Sequence, residues 1–380
     1  MLAFTVSKKL TLGIELEIQI VNKKGCDLVG LAGNLIKQLD IHTYSTNIKP
    51  EITQSMLEIN STIHNKPQTL LSELREIRDY LIHQVQDLNI YLTGGGTHPF
   101  QMWNERKIYP TPRFKNAANK YGYLAKMFTV FGLHIHIGCS NGDDAIYLTH
   151  ALKNYVPQFI ALSASSPFCQ NVDTEFDSSR ANVVNSFPLS GIVPPVSNWN
   201  EFSTYLEKMY ELEIAGSINN FYWDIRPKPE FGTVEVRVCD SPLSIERAVM
   251  LAAYIQTIAH YLFTERPPHL LDDDKYQLYK YNRFHASRYG FAGTNINPQT
   301  HQHQTIGDNI LETCRRIENY SADLGNDDFI SELIELTIRK QNDAKWLRDL
   351  RLEGLTLQEI VRRQSLLWAG SHTKTENILA

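Results

Sequence analysis

The chain has 380 residues, 42% of them hydrophobic and 21% charged, the balance of an ordinary soluble globular protein. Its formal charge of −5 leaves no basic footprint for nucleic acid. No apolar run approaches the ~18 residues that a membrane span needs.

In chain order, the opening MLAFTVSKKLTLGIELEIQ lacks the apolar core and small-residue cleavage site of a signal peptide. A first strand is expected over about residues 11–21, closing in the polar turn Asn22-Lys23-Lys24-Gly25. Glu15 and Glu17 alternate there with Ile14, Leu16, Ile18 and Ile20. Side chains two apart in a strand share a face, so one face is acidic and the other apolar. A solvated edge would show the same pattern, but the surrounding isoleucines mark a central strand. The stretch PEITQSMLEINST continues the alternation with Glu51 and Glu58. Pro67 then opens a helix, PQTLLSELREIRDYLIHQVQDLNI, at the position where proline is tolerated.

The strand IYLT leads into Gly94-Gly95-Gly96. This triplet lacks the lysine and spacing of a phosphate-binding loop and reads equally well as a flexible turn. FTVFGLHIHIGCS is the next strand, with His134 and His136 on one face. A single histidine there would suit a core; two suit a metal or phosphate. Asp143 and Asp144 precede a helical run that Pro157 should kink or divide. Residues 170–200 are rich in Ser, Asn, Asp and Pro and read as a long functional loop. A helix near 199–215 follows.

FYWDIRPKPEFGTVEVRVCDSPL reads as two strands joined at Pro227–Glu230. Asp224 and Arg226, then Glu235 and Arg237, repeat an acid–base spacing of two. Glu235 and Arg237 form either a structural ion pair or a metal ligand beside a phosphate clamp, a task for which a planar guanidinium is suited. Asp224 and Arg226 bind substrate or brace the sheet; the residues alone do not choose. Ser244 caps the next helix. From about residue 275 the pattern is helical, apart from GTNINPQTHQHQT, a loop or small hairpin whose His301 and His303 read as solvated. In NRFHASRYG, Arg283 and Arg288 lie five apart and should not share a helix face.

The five cysteines (Cys26, Cys139, Cys169, Cys239, Cys314) form no CxxC pair and read as reduced thiols, which fits a cytoplasmic protein. No repeat or composition shift divides the chain, so one domain over 1–380 is expected, with 371–380 a tail. Strands that keep a polar face fit poorly in a sheet covered on both sides. The expected class is α+β: an antiparallel sheet with helices on its apolar face and an open, curved active-site floor on the other. Carboxylates with few histidines favour Mg²⁺ or Mn²⁺ over zinc.

Together the motifs TLGIELEIQIVN, ITQSMLE, GGGTHPF, TVFGLHIHIGC, DDAIYL, WDIRP, FGTVEVRVCDSPL and NRFHASRYG resemble the glutamate–cysteine ligase type 2 family, the YbdK-like carboxylate–amine ligases included. The resemblance runs from about residue 10 to about 370. It implies a glutamine-synthetase-like fold and weak ATP-dependent joining of glutamate to cysteine or another amine, with Mg²⁺. Residue by residue it makes Glu15, Glu17, Glu58, His134 and Glu235 metal ligands. It matches Glu235 and Arg237 to one motif; we read these two as the catalytic pair, and Arg237 with Arg288 as nucleotide contacts. The family more often has Glu where this chain has Gln54, which weakens the outer metal position. By analogy a homodimer is expected. A metal-dependent hydrolase built on His134 and His136, or a nucleotide-binding module without turnover, are the competing readings.

Overall fold

The computed structural model describes residues 2–39, 44–268 and 275–370; the expected tail at 371–380 lies outside them. Among the described residues the main sheet has seven strands: β1 (Leu12–Asn22), β2 (Ile48–Pro50), β3 (Met56–Asn60), β4 (Ile90–Thr93), β5 (Gly132–Gly138), β6 (Ile225–Lys228) and β7 (Thr233–Asp240). Their order is β6-β7-β5-β1-β3-β2, and every pairing is antiparallel. β1 is central. β3 pairs one edge of it over Glu15–Gln19. On its other edge β5 takes Leu12–Leu16 and β4 takes Gln19–Asn22.

Alternation gives this sheet two faces. Leu12, Ile14, Leu16, Ile18 and Ile20 of β1 join Leu57, Ile59, Leu133, Ile135, Ile137, Val234 and Val236 in one continuous core. Helices cover that face, two of them long. Pro67–Gln84 begins on its proline and buries Leu70, Leu74, Ile77 and Leu81, one stripe at helical spacing. Ile245–Glu265, capped by the Ser244 hydroxyl, buries both its own flank and the sheet.

The run after β5 is divided, as its proline requires. Gly142–Leu152 ends in a tight turn, and Pro157 sits in the first turn of the second helix, Val156–Ser163, where its missing N–H is not needed. The strand expected over PEITQSMLEINST breaks into β2 and β3, with Glu51 just after β2. Residues 170–200 are more ordered than a loop. They hold a short helix, Arg180–Asn185, and a two-residue parallel pairing of Ser190–Gly191 with Tyr222–Trp223. The next helix is Trp199–Glu211, and GTNINPQTHQHQT forms a hairpin with His301 and His303 exposed.

The glycine triplet is buried packing rather than a flexible turn. A Cβ on Gly94 would lie 1.9 Å from the Pro242 carbonyl, and one on Gly96 2.7 Å from the Asp240 carboxyl.

Ile135 is fully buried between Ile14 and Val236 in the register. Ile135→Ala should cost about 2–5 kcal/mol, read as a lower urea midpoint at unchanged slope. An unchanged midpoint would show that this face is not the principal core.

Candidate active site

The polar face is a lattice fixed by register. Glu15 lies opposite His134 on β5 and Asn60 on β3. Glu17 lies opposite Glu58. His136 lies opposite Gly13 on one side and Glu235 on the other, and Glu235 lies opposite Arg226. All five expected metal ligands therefore stand on adjacent strands of one surface.

Contacts divide the acids into two groups. In the first, Glu15 accepts from His134 Nδ1 at 3.0 Å and lies 3.4 Å from His136 Nε2. Glu235, with no exposed surface, is held at 2.8 Å by Arg226 and paired directly with Arg237. Burial alone would raise both acids. The histidines on Glu15 and the guanidiniums on Glu235 outweigh it and hold both carboxyls well below the usual range. Burial, with Arg237 nearby, pushes His134 down to about 4, so it meets Glu15 as a neutral Nδ1–H donor.

The second group is Glu17, Glu51 and Glu58. Burial lifts Glu17 to about 7, reinforced by Glu58 and opposed by Arg180. It lifts Glu51 to about 7, reinforced by Glu17, and Glu58 to about 8, reinforced by Glu51 and Glu15. Three neighbouring carboxyls that resist ionisation are suited to a multivalent cation.

A second observation agrees. Donor atoms of Glu15, His136 and Glu235 lie within 4.8 Å of one another. His136 Nε2 is buried and has no hydrogen-bond partner among the described residues. Its other nitrogen bonds Thr233. The residues present fit one or more hard divalent cations bound mostly through oxygen. His136 and Glu51, absent from the ligand set implied by the motifs, belong to the same surface. Gln54 does not add to it: its amide donates to the Ile108 carbonyl.

Beside the floor is a small, partly open pocket. Glu17, His134, Arg237 and Arg180 reach it from the floor side, and Phe128, Val184 and Tyr222 form an apolar wall. Sequence reasoning missed Arg180. It arrives from the short helix after β5 and lies over Gly132, where a Cβ would be 2.0 Å from its Nη2. Its guanidinium donates to the Val238 carbonyl at 3.3 Å. Gly132 N–H in turn donates to Glu17. A lone arginine in a Ser/Asn-rich stretch gives no local signal of this.

The two acid–base repeats separate. Arg226 serves Glu235, whereas Asp224 accepts from Arg283 at 2.7 and 3.1 Å and from the Tyr279 hydroxyl. Arg283 lines the pocket. Arg288 lies outside it, ion-paired with Glu175 at 2.7 Å. Five residues rotate a helix about 140° beyond a full turn, which parts the two arginines. An Arg288–nucleotide contact would require that pair to open.

The comparisons decide the lineage. The model of glutamate-cysteine ligase family 2 matches residues 11–369. The chain belongs to glutamate–cysteine ligase family 2. A Legionella pneumophila (strain Corby) protein provisionally named glutamate–cysteine ligase 2-1 is 47% identical over 97% of this chain and 96% of its own. One from Herminiimonas arsenicoxydans, provisionally named glutamate–cysteine ligase 2, is 49% identical over 97% and 99%. The fold is shared with the glutamate–cysteine ligase of Francisella tularensis, solved in complex with AMP, at a TM-score of 0.75 and 14% identity, covering 99% of this chain and 92% of that one. It is shared also with a bifunctional glutathione synthetase of Pasteurella multocida, at a TM-score of 0.66 and 14% identity, covering 95% of this chain and 51% of that one. The glutamine-synthetase-like class expected from the motifs is the class found. Among the described residues no helix of this family 2 ligase is long and apolar enough to cross a membrane.

The raised acids give a pH test with a definite sign. Their ordinary value is 4.5, and in the folded chain they reach about 7 to 8. Between these values the native state holds protons that the unfolded chain has lost, so metal-free stability falls as pH rises through the window. A cation reverses this by binding the ionised form and releasing protons. Mg²⁺ should therefore raise Tm more near pH 8 than near pH 6, as differential scanning calorimetry can measure. Equal shifts at both would remove these carboxyls from cation binding.

Proposed function

We propose that this family 2 ligase joins glutamate, through its side-chain carboxylate, to cysteine or another amine at the expense of ATP. The observation that carries the reading is Arg237. It sits where the carboxylate floor meets the pocket, fixed by Glu235 and facing the pocket with His134 and Arg180. A donor carboxylate in the pocket and a terminal phosphate above the floor would meet at this guanidinium.

A carboxylate is a poor electrophile for an amine. In the first step its oxygen attacks the γ-phosphorus, the bond to the bridging oxygen breaks, and ADP leaves. In the second, the amine nitrogen attacks the acyl phosphate carbonyl, the carbon–oxygen bond breaks, and phosphate departs with the amine's proton. Phosphoryl transfer of this kind asks a protein mainly for positioning and charge neutralisation. Arg237 and Arg180 supply fixed positive charge for the transferred group and the carbonyl oxygen. The apolar wall of Phe128, Val184 and Tyr222 limits water beside an intermediate that hydrolyses readily. Mg²⁺, or Mn²⁺ in its place, would be held by Glu15, Glu17, Glu51, Glu58, Glu235 and a floor histidine, and would neutralise the polyphosphate. We expect turnover with cysteine to be slow, which leaves another amine as the better acceptor.

Arg226 still holds Glu235 when Arg237 is removed, so Arg237→Ala should stay folded. Arg237→Ala and Glu15→Gln should each lower ADP release roughly 10²- to 10³-fold with Tm little changed. The assay follows ADP and phosphate with Mg²⁺-ATP and a panel of amino-acid pairs. Release that requires glutamate together with one particular amine supports the proposal. No ADP release with any pair, or wild-type rates in both variants, would overturn it.

A further inference from the structure

The pocket draws on one end of the floor, through His134 and Arg237. The other end carries an aromatic group that nothing above uses. Phe231 stands in the turn between β6 and β7 with 54% of its surface exposed. That turn is pinned in place. Thr5 N–H donates to the Pro229 carbonyl and Cys139 N–H to the Gly232 carbonyl, both at 2.9 Å. Gly232 holds a φ of +65°, and a Cβ on it would lie 2.0 Å from the Thr5 carbonyl. Here the backbone needs glycine.

One exposed phenylalanine is unremarkable in itself; its neighbours are informative. The His136 ring meets Phe231 edge to face at 5.9 Å. The Lys228 ammonium lies 5.4 Å from the Phe231 ring centre and is held there by Asn219 and Glu230. His136 is the floor residue whose Nε2 has no hydrogen-bond partner among the described residues and lies 3.4 Å from Glu15. On its other side, in register, is Gly13. A Cβ built there would make ordinary contacts, with His136 and Ser61 at 3.9 Å, so at Gly13 no side chain rises from the floor beside His136. An anchored, water-facing aromatic ring thus adjoins the cation-binding surface, at the end away from the pocket.

A two-substrate ligase needs such an asymmetry. The donor and acceptor occupy one side of the transferred phosphate, and the rest of the nucleotide must extend to the other. We infer that Phe231 is the stacking shelf for the purine base of the nucleotide, with Lys228 beneath the shelf. This rests on the reading that the floor takes a nucleoside triphosphate. Stacking recognises the flat face common to all bases, so Phe231 adds affinity for the base rather than selecting among bases.

The test compares Mg²⁺-ADP with Mg²⁺-tripolyphosphate, which offers the phosphates without a base, by isothermal titration calorimetry on the full chain. Phe231→Ala should weaken ADP binding roughly ten- to a hundredfold and leave tripolyphosphate binding at the wild-type value, which also shows that the floor is intact. Phe231→Trp should keep ADP affinity, and its added emission should respond to ADP but not to tripolyphosphate. ADP binding by Phe231→Ala within twofold of wild type, with tripolyphosphate still bound, overturns the shelf and leaves the ligase reading standing. Failure of the wild-type protein to bind either ligand overturns both.

Discussion

Glu235 is the charge on which the floor balances. A carboxylate with no exposed surface would ordinarily give up its charge, since desolvation of an isolated ion costs several kcal/mol. Arg226 across the strand pair and Arg237 two residues along prevent that. The clamp has consequences in every direction. It ties β6 to β7 by side chains as well as backbone. It fixes the guanidinium of Arg237 at the pocket mouth. It places a full negative charge beside His134 and within reach of Glu15 and His136. Removing one arginine leaves a pair; removing both would leave a buried charge with nothing fixed to answer it.

From that centre the face grades into a region whose counter-charges, Arg180, Arg113 and Lys49, do not outweigh burial. Glu17, Glu51 and Glu58 are crowded by register and by the turn after β2, and their raised values report the cost of ionising all three. The contrast with Glu15 and Glu235 separates two ways of keeping acids in a sheet. One set is answered by the protein. The other, in the proposed reading, would be answered by cations, which would couple ligand binding and proton release on the same surface. The apolar reverse face makes this possible, because its continuous core fixes the register that brings the acids together.

Close backbone approach is the recurring means by which loops enter the site. Gly132 admits Arg180 and donates its N–H to Glu17; Gly96 admits the end of β7 and Gly94 the segment after it; Gly232 admits the N-terminal residues. None of these glycines touches a substrate in the proposed mechanism. They set how near separate stretches of chain can come, and hence where Arg180 and Phe231 stand.

The sequence alone determined the two-faced strands and the side of each strand on which Glu15, Glu17, His134, His136, Glu235 and Arg237 lie. These follow from period-two alternation, a local property. Its motifs also named the family, which the comparisons bear out. What only the tertiary structure decided is partnership. Whether Glu17 meets Glu58, whether Arg226 serves Glu235 while Arg283 serves Asp224, whether Arg288 turns to Glu175, and whether an arginine 48 residues beyond Gly132 returns to lie on it depend on register and chain closure. Apart from Arg226 and Glu235, nine residues apart on one hairpin, those contacts join residues far apart in the chain, and no short window of sequence carries the distance between them.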